Sequence, residues 1–166
     1  IEALRANLID VAVVSSPFAD KTGLNINVIK KLQDIVAAGN GFSYLKDKEI
    51  SLHELVKYPL ICLKNTTTTR NYLDHIFRQH NLLLRPDIEL TSINFVMPMV
   101  KNNLGIGFMQ YATTKAEIEA GNIFRVNTKE QIPPRSICAV TASQYETPEP
   151  VQRFIDSLLE KESVNI

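Results

Sequence analysis

Short apolar runs alternate along this chain with segments whose apolar residues fall three and four apart, and this alternation is the strongest constraint on what it can fold into. The runs are Ile9–Val14, Asp34–Ala38, Leu60–Leu63, Ile88–Leu90, Leu104–Met109, Ile123–Val126 and Ser136–Val140. Most are β-branched and too short for helices, and each is bounded by Gly, Pro, Asn or Ser. Between them, Tyr72, Leu73, Ile76, Phe77 and His80 share one helical face, with Asn81 and Pro86 marking its end. Val151, Phe154, Ile155, Leu158 and Leu159 form a second stripe, preceded by Thr147 as cap and Pro148 at the first helical position. Ser51 followed by Glu54 makes a capping box that starts a short helix. Strands alternating with helices imply an α/β protein, and short strands joined by helices imply largely parallel pairing.

Local signals add detail. Ser92 can cap a helix carrying Val96, Met99 and Val100, in which Pro98 removes a backbone donor and predicts a kink. Asn103 suits a left-handed C-terminal cap, and Gly121 stops a short helix over 115–120.

Composition removes several function classes. Hydrophobic residues make up 45% and charged residues 22% of the 166, with 18 Lys+Arg against 18 Asp+Glu, which excludes disorder. No run approaches the roughly 20 apolar residues of a membrane span. Neither half of the chain is markedly basic, so this chain alone is a poor nucleic-acid binder. Cys62 and Cys138 sit far apart in apolar runs, as reduced buried thiols of a cytoplasmic protein would. His53, His75 and His80 lack thiol or carboxylate partners at ligand spacing, so no metal is expected. No phosphate-cradling glycine motif or nucleophile elbow is present, and no cofactor or catalytic residue is expected.

Hydroxyls gather instead where strands end. Thr66, Thr67, Thr68, Thr69 and Arg70 lie between the run Leu60–Leu63 and the helix carrying Tyr72. That places hydroxyls and unpartnered N–H groups at a helix N-terminus, where the dipole favours an anion. Arg70 could add a bidentate contact to a carboxylate. Capping by Thr69 with the other hydroxyls facing water is the alternative. Ser15 and Ser16 follow a strand in the same way, and Ser92, Ile93 and Phe95 form a third junction. Ligands of open α/β sheets bind beyond the carboxyl ends of strands.

Taken in order, several phrases resemble the C-terminal effector-binding domain of LysR-type transcriptional regulators. They are Ile9-Asp10-Val11-Ala12-Val13-Val14, Ile50-Ser51-Leu52-His53-Glu54-Leu55, Tyr58-Pro59-Leu60-Ile61 and Thr69-Arg70-Asn71-Tyr72-Leu73-Asp74. Pro86-Asp87-Ile88-Glu89-Leu90, Met99-Val100-Lys101-Asn102-Asn103-Leu104-Gly105-Ile106-Gly107 and Glu119-Ala120-Gly121-Asn122-Ile123 complete the series, which spans nearly the whole chain. The resemblance implies a type 2 periplasmic-binding-protein-like fold, with two α/β lobes joined by two crossing strands and a ligand cleft between them. Residues 1–48 and 134–166 would form one lobe and 49–133 the other. The loops at Ser15-Ser16, Thr66–Arg70 and Ser92–Phe95 would approach the effector.

The implied function is sensing of a small anionic metabolite, without catalysis, by a homodimer or homotetramer in the cytoplasm. DNA would be met only through a winged helix-turn-helix domain preceding this chain, and no membrane is involved. The family's effector domain opens with a strand–helix–strand unit that is not found before Ile1, so the first lobe is expected to be N-terminally truncated. Asn103 stands where the family usually has Gly, and Gln110 where Pro often follows the strand. Two alternatives share the fold. One is an extracytoplasmic solute-binding protein. The other is a prephenate-dehydratase-like enzyme, whose Thr-Arg-Phe motif Thr69-Arg70 matches in part, with Asn71 in place of Phe.

Overall fold

A computed structural model describes residues 1–18 and 20–163, with backbone only for 161–163. In chain order the elements are α1 (Glu2–Arg5), β1 (Ala12–Ser15), β2 (Leu24–Leu32), β3 (Asp34–Gly39), a 3-10 turn at Asn40–Leu45, β4 (Glu49–Ile50), α2 (Leu52–Leu55) and β5 (Leu60–Leu63). They continue with α3 (Thr68–Gln79), β6 (Ile88–Leu90), a 3-10 turn at Ile93–Phe95, α4 (Val96–Lys101), β7 (Ile106–Gln110), α5 (Tyr111–Glu119), β8 (Ile123–Thr128), β9 (Arg135–Ala142) and α6 (Glu149–Ser163). None of the described helices is long and apolar enough to cross a membrane.

The chain divides into two compact units, residues 1–32 with 134–166, and residues 33–133. The expected division placed residues up to 48 with the first lobe. In the structure β3 instead pairs with β7 and β8 of the second unit, so the first boundary falls before Asp34.

In the first unit, β9 is the central strand of a three-stranded sheet ordered β1-β9-β2, antiparallel on both sides. One face of this sheet carries Ala12, Val14, Leu24, Ile26, Cys138, Val140 and Ala142, which pack with Ile1, Leu4 and Phe18. Leu4 on α1 is fully buried, whereas Leu8 lies beyond the helix and is exposed. On α6, Ile155 is buried and Phe154 stays largely exposed, so the expected stripe is only partly covered.

The second unit holds a six-stranded sheet ordered β4-β8-β3-β7-β5-β6. Alternate residues of its inner strands serve two separate cores. Val36 and Ala38, Leu60 and Cys62, and Ile106 and Phe108 pack with Tyr72, Leu73, Ile76 and Phe77 of α3 and with Leu52 and Leu55 of α2. Ile35, Ala37, Ile61 and Met109 face the other way, onto Val96 and Val100 of α4. Burial on both faces is why these strands read as continuous apolar runs. Each fully buried Leu, Ile or Phe contributes about 1.5–3 kcal/mol relative to exposure. Gly107 lets α4 approach the sheet, because a Cβ there would sit 2.7 Å from a Val100 methyl and 2.9 Å from a Val96 methyl.

Pairing is not largely parallel. β5 runs parallel to β6 and β7, and β4 to β8, whereas β1, β2 and β3 are antiparallel to their partners. Parallel neighbours need long, usually helical, crossovers. The chain has these after β5 (α3) and β6 (α4), but β2 leads into β3 through Gln33 alone.

Pro98 does not sit in a long kinked helix. A 3-10 turn over Ile93–Phe95 passes into α4 at Val96, and Pro98 lies in the first turn of α4, where its missing N–H costs little.

Candidate functional site

Thr67 is the N-cap of α3. Its extended backbone (φ −95°, ψ 145°) lets the hydroxyl accept from the Arg70 N–H at 3.3 Å while donating to the Lys64 carbonyl at 2.9 Å. The cap is therefore Thr67 rather than Thr69, two residues earlier than the capping alternative suggested. Thr66 and Thr68 are exposed and Thr69 is half-buried. The first N–H groups of the helix lack intrahelical partners, so α3 presents donors and hydroxyls where its dipole is positive.

The second hydroxyl-bearing junction lies beside the first. β5 and β6 are parallel neighbours with Leu63 opposite Leu90, and the Lys64 N–H donates to the Leu90 carbonyl at 2.9 Å. The Thr66–Thr69 and Ser92–Phe95 segments thus leave the same end of adjacent strands. The Ser92 hydroxyl accepts from the Asn94 N–H at 3.4 Å and caps the 3-10 turn. Ile93 and Phe95 are 46% and 58% exposed, so apolar surface stands next to the hydroxyls of the α3 terminus.

Arg70 points inward. It is 6% exposed, its Nε donates to Asp74 at 2.9 Å, Nη1 to Glu89 at 2.7 Å and to the Leu63 carbonyl at 3.1 Å, and Nη2 to the Leu84 carbonyl at 3.1 Å. The carboxylates it meets belong to its own chain. Burial works against its charge, but the hydrogen bonds to Glu89 and Asp74 more than offset this and raise its pKa above the usual value. Below it in β5, burial pushes the Cys62 thiol up to about 12, which keeps it protonated and unreactive.

Ser15 and Ser16 belong to the first unit. The Ser15 hydroxyl accepts from Arg135 Nη1 at 3.1 Å, and the Ser16 hydroxyl accepts from the Ser136 N–H at 2.8 Å. The Ser16–Pro17 peptide is cis. Arg135 is a buried cation that the sequence reading passed over. Its signal was an arginine opening an otherwise apolar run, straight after Pro133-Pro134. Asn103 adopts the expected left-handed conformation (φ 60°), and its side-chain oxygen also accepts the Gly41 N–H at 2.6 Å. No cluster of His, Cys, Asp and Glu able to hold a metal occurs among the described residues.

A family model described as the LysR substrate binding domain matches residues 1–163. The chain belongs to that family. This LysR domain is 29% identical over 111 residues to the HTH-type transcriptional activator CmpR of Synechocystis sp., an alignment covering 66% of the chain and 36% of the relative. The aligned region is thus about a third of that relative's length. Among solved structures, the regulatory domain of CcmR from Synechocystis PCC6803, in complex with 2-PG, superposes with a TM-score of 0.77 at 19% identity, over 96% of this chain and 76% of that one. The effector-binding domain of QuiR in complex with shikimate gives 0.74 at 18% identity, over 96% and 75%. A reduced form of OxyR from N. meningitidis gives 0.68 at 16%, over 96% and 74%. At these identities the superpositions establish the fold, which is type 2 periplasmic-binding-protein-like. The family is a regulatory domain, not an enzyme.

Proposed function

We propose that this LysR domain senses a small anionic metabolite on behalf of a bacterial transcriptional regulator, and that the α3 N-terminus holds the ligand's charged group. The observation that carries this reading is the pairing of the Thr66–Thr69 hydroxyls and first-turn N–H groups with the Ser92–Phe95 loop, on adjacent parallel strands. An anion at such a terminus gains about 0.3–1 kcal/mol when exposed and up to about 2 kcal/mol when partly buried. Ile93 and Phe95 supply apolar contact. Arg70 contributes by holding the α3 terminus against β5 and β6. Its internal pairing argues against the dehydratase-like alternative, in which a Thr-Arg pair would face the substrate.

In the regulator, ligand binding would bias the arrangement of a homodimer or homotetramer and, through a winged helix-turn-helix domain, its grip on DNA in the cytoplasm. A ligand shifts such an equilibrium only by its differential affinity for the two arrangements, typically about 1–3 kcal/mol. Calorimetric titration with small acids, 2-PG and shikimate among them, tests the site. T66V/T69V keeps side-chain volume and the Thr67 cap but removes two hydroxyls. It is expected to weaken a bound acid by about tenfold. Unchanged affinity in this variant would overturn the assignment.

A further inference from the structure

The flank of α3 carries a recess of about 250 Å³ lined by Asn65, Arg70, Asp74, Arg78, Leu83, Leu84 and Arg85. Arg70, Asp74 and Arg78 are spaced four apart, so they share one face of the helix and span about 12 Å along it. The segment Leu83–Arg85, on the way to β6, forms the opposite wall. Arg70 and Asp74 neutralise each other in the floor through the 2.9 Å contact, and the rest of the Arg70 guanidinium is taken by Glu89 and two carbonyls. That leaves Arg78 and Arg85. Both are exposed, and neither guanidinium has an ion-pair or hydrogen-bond partner among the described residues.

The geometry points to a second ligand site in this recess, specific for a small phosphate monoester. Two unpaired arginines lining one recess match the two negative charges and three oxygens of a phosphate, which the planar fork engages bidentately. The volume is that of about eight water molecules, room for one phosphorylated small unit and too little for a drug-sized ligand. Asn65 offers an amide donor, and the exposed Leu83 side chain suits a short carbon body. No threonine lines the recess, and the site does not depend on the assignment of Thr66 and Thr69.

The test titrates the intact chain with inorganic phosphate, glycerol phosphate and succinate, following heat and the arginine Nε–H resonances. Saturable binding of glycerol phosphate is expected, with shifts confined to the arginines of the recess. R78Q/R85Q should weaken it at least about tenfold. R78K/R85K, which keeps charge without the fork, should fall between the two, and T66V/T69V should bind like wild type. Wild-type affinity in R78Q/R85Q, or no saturable binding of either phosphate, would overturn the site. Succinate binding as tightly as glycerol phosphate would overturn the phosphate specificity.

Discussion

Replacing Arg70 by Met separates a structural role from a ligand-binding one. The guanidinium makes four hydrogen bonds, two to carboxylates and two to backbone carbonyls, and joins α3 to β5, to the segment after α3 and to β6. Met fills a similar stem but leaves Asp74, 15% exposed, and the Leu63 and Leu84 carbonyls without their partner. Removing one member of a buried ion pair costs about 3–5 kcal/mol. Glu89 is 43% exposed and rehydrates, so the lower end of that range, about 3 kcal/mol, applies. For a domain of this size that lowers Tm by roughly 6–12 °C. The chain has no Trp, so urea and thermal unfolding are best followed by far-ultraviolet circular dichroism. Adding Asp74→Leu to Arg70→Met removes the stranded carboxylate and should recover part of the loss, since two apolar groups tolerate burial better than one unpaired charge. A loss below about 1 kcal/mol in R70M would refute the internal role argued for Arg70.

Asn103→Ala should destabilise the second unit by about 1–2 kcal/mol, because alanine is disfavoured at φ 60° and the acceptor for the Gly41 N–H is lost. Asn103→Gly restores the conformation but not the hydrogen bond and should fall between; a glycine variant less stable than the alanine one would contradict this. The Ser51 N–H and hydroxyl hold the Glu54 carboxyl below its usual range. A carboxyl whose pKa is lowered by folding stabilises above its unfolded value and loses that contribution as pH falls through the folded value. The Tm gap between wild type and Glu54→Gln should therefore shrink on acidification below about pH 4.3, and a gap independent of pH would exclude a charged cap.

The elements that local chemistry determines were legible in the sequence. The Ser51–Glu54 capping box, the Tyr72–Phe77 face and the left-handed Asn103 each rest on residues close in the chain. Strand direction was not legible, because β3 and β9 find their partners far away in sequence, and a helix between two strands does not show that those two strands pair with each other. The same limit applied to the candidate site. Spacing could place Arg70 at a helix start, but whether it faced a ligand or its own chain depended on Glu89 and the Leu84 carbonyl, which are near only after folding. Thr67 over Thr69 as the cap was a smaller error of the same kind, one of register within a run of identical residues.

The order of strands also sets an order of events. β1 and β2 do not pair with each other; both pair with β9, which lies between them. As a ribosome delivers the chain, residues 12–32 must wait for residues 135–142 before their sheet can form. The continuous stretch 33–133, by contrast, contains every strand its own sheet requires. The second unit can therefore condense first, and the first unit is the slow partner, bringing together segments separated by an already folded insert. During that interval the edges of β1 and β2 lack the strand they pair with, which exposes them to pairing with other chains.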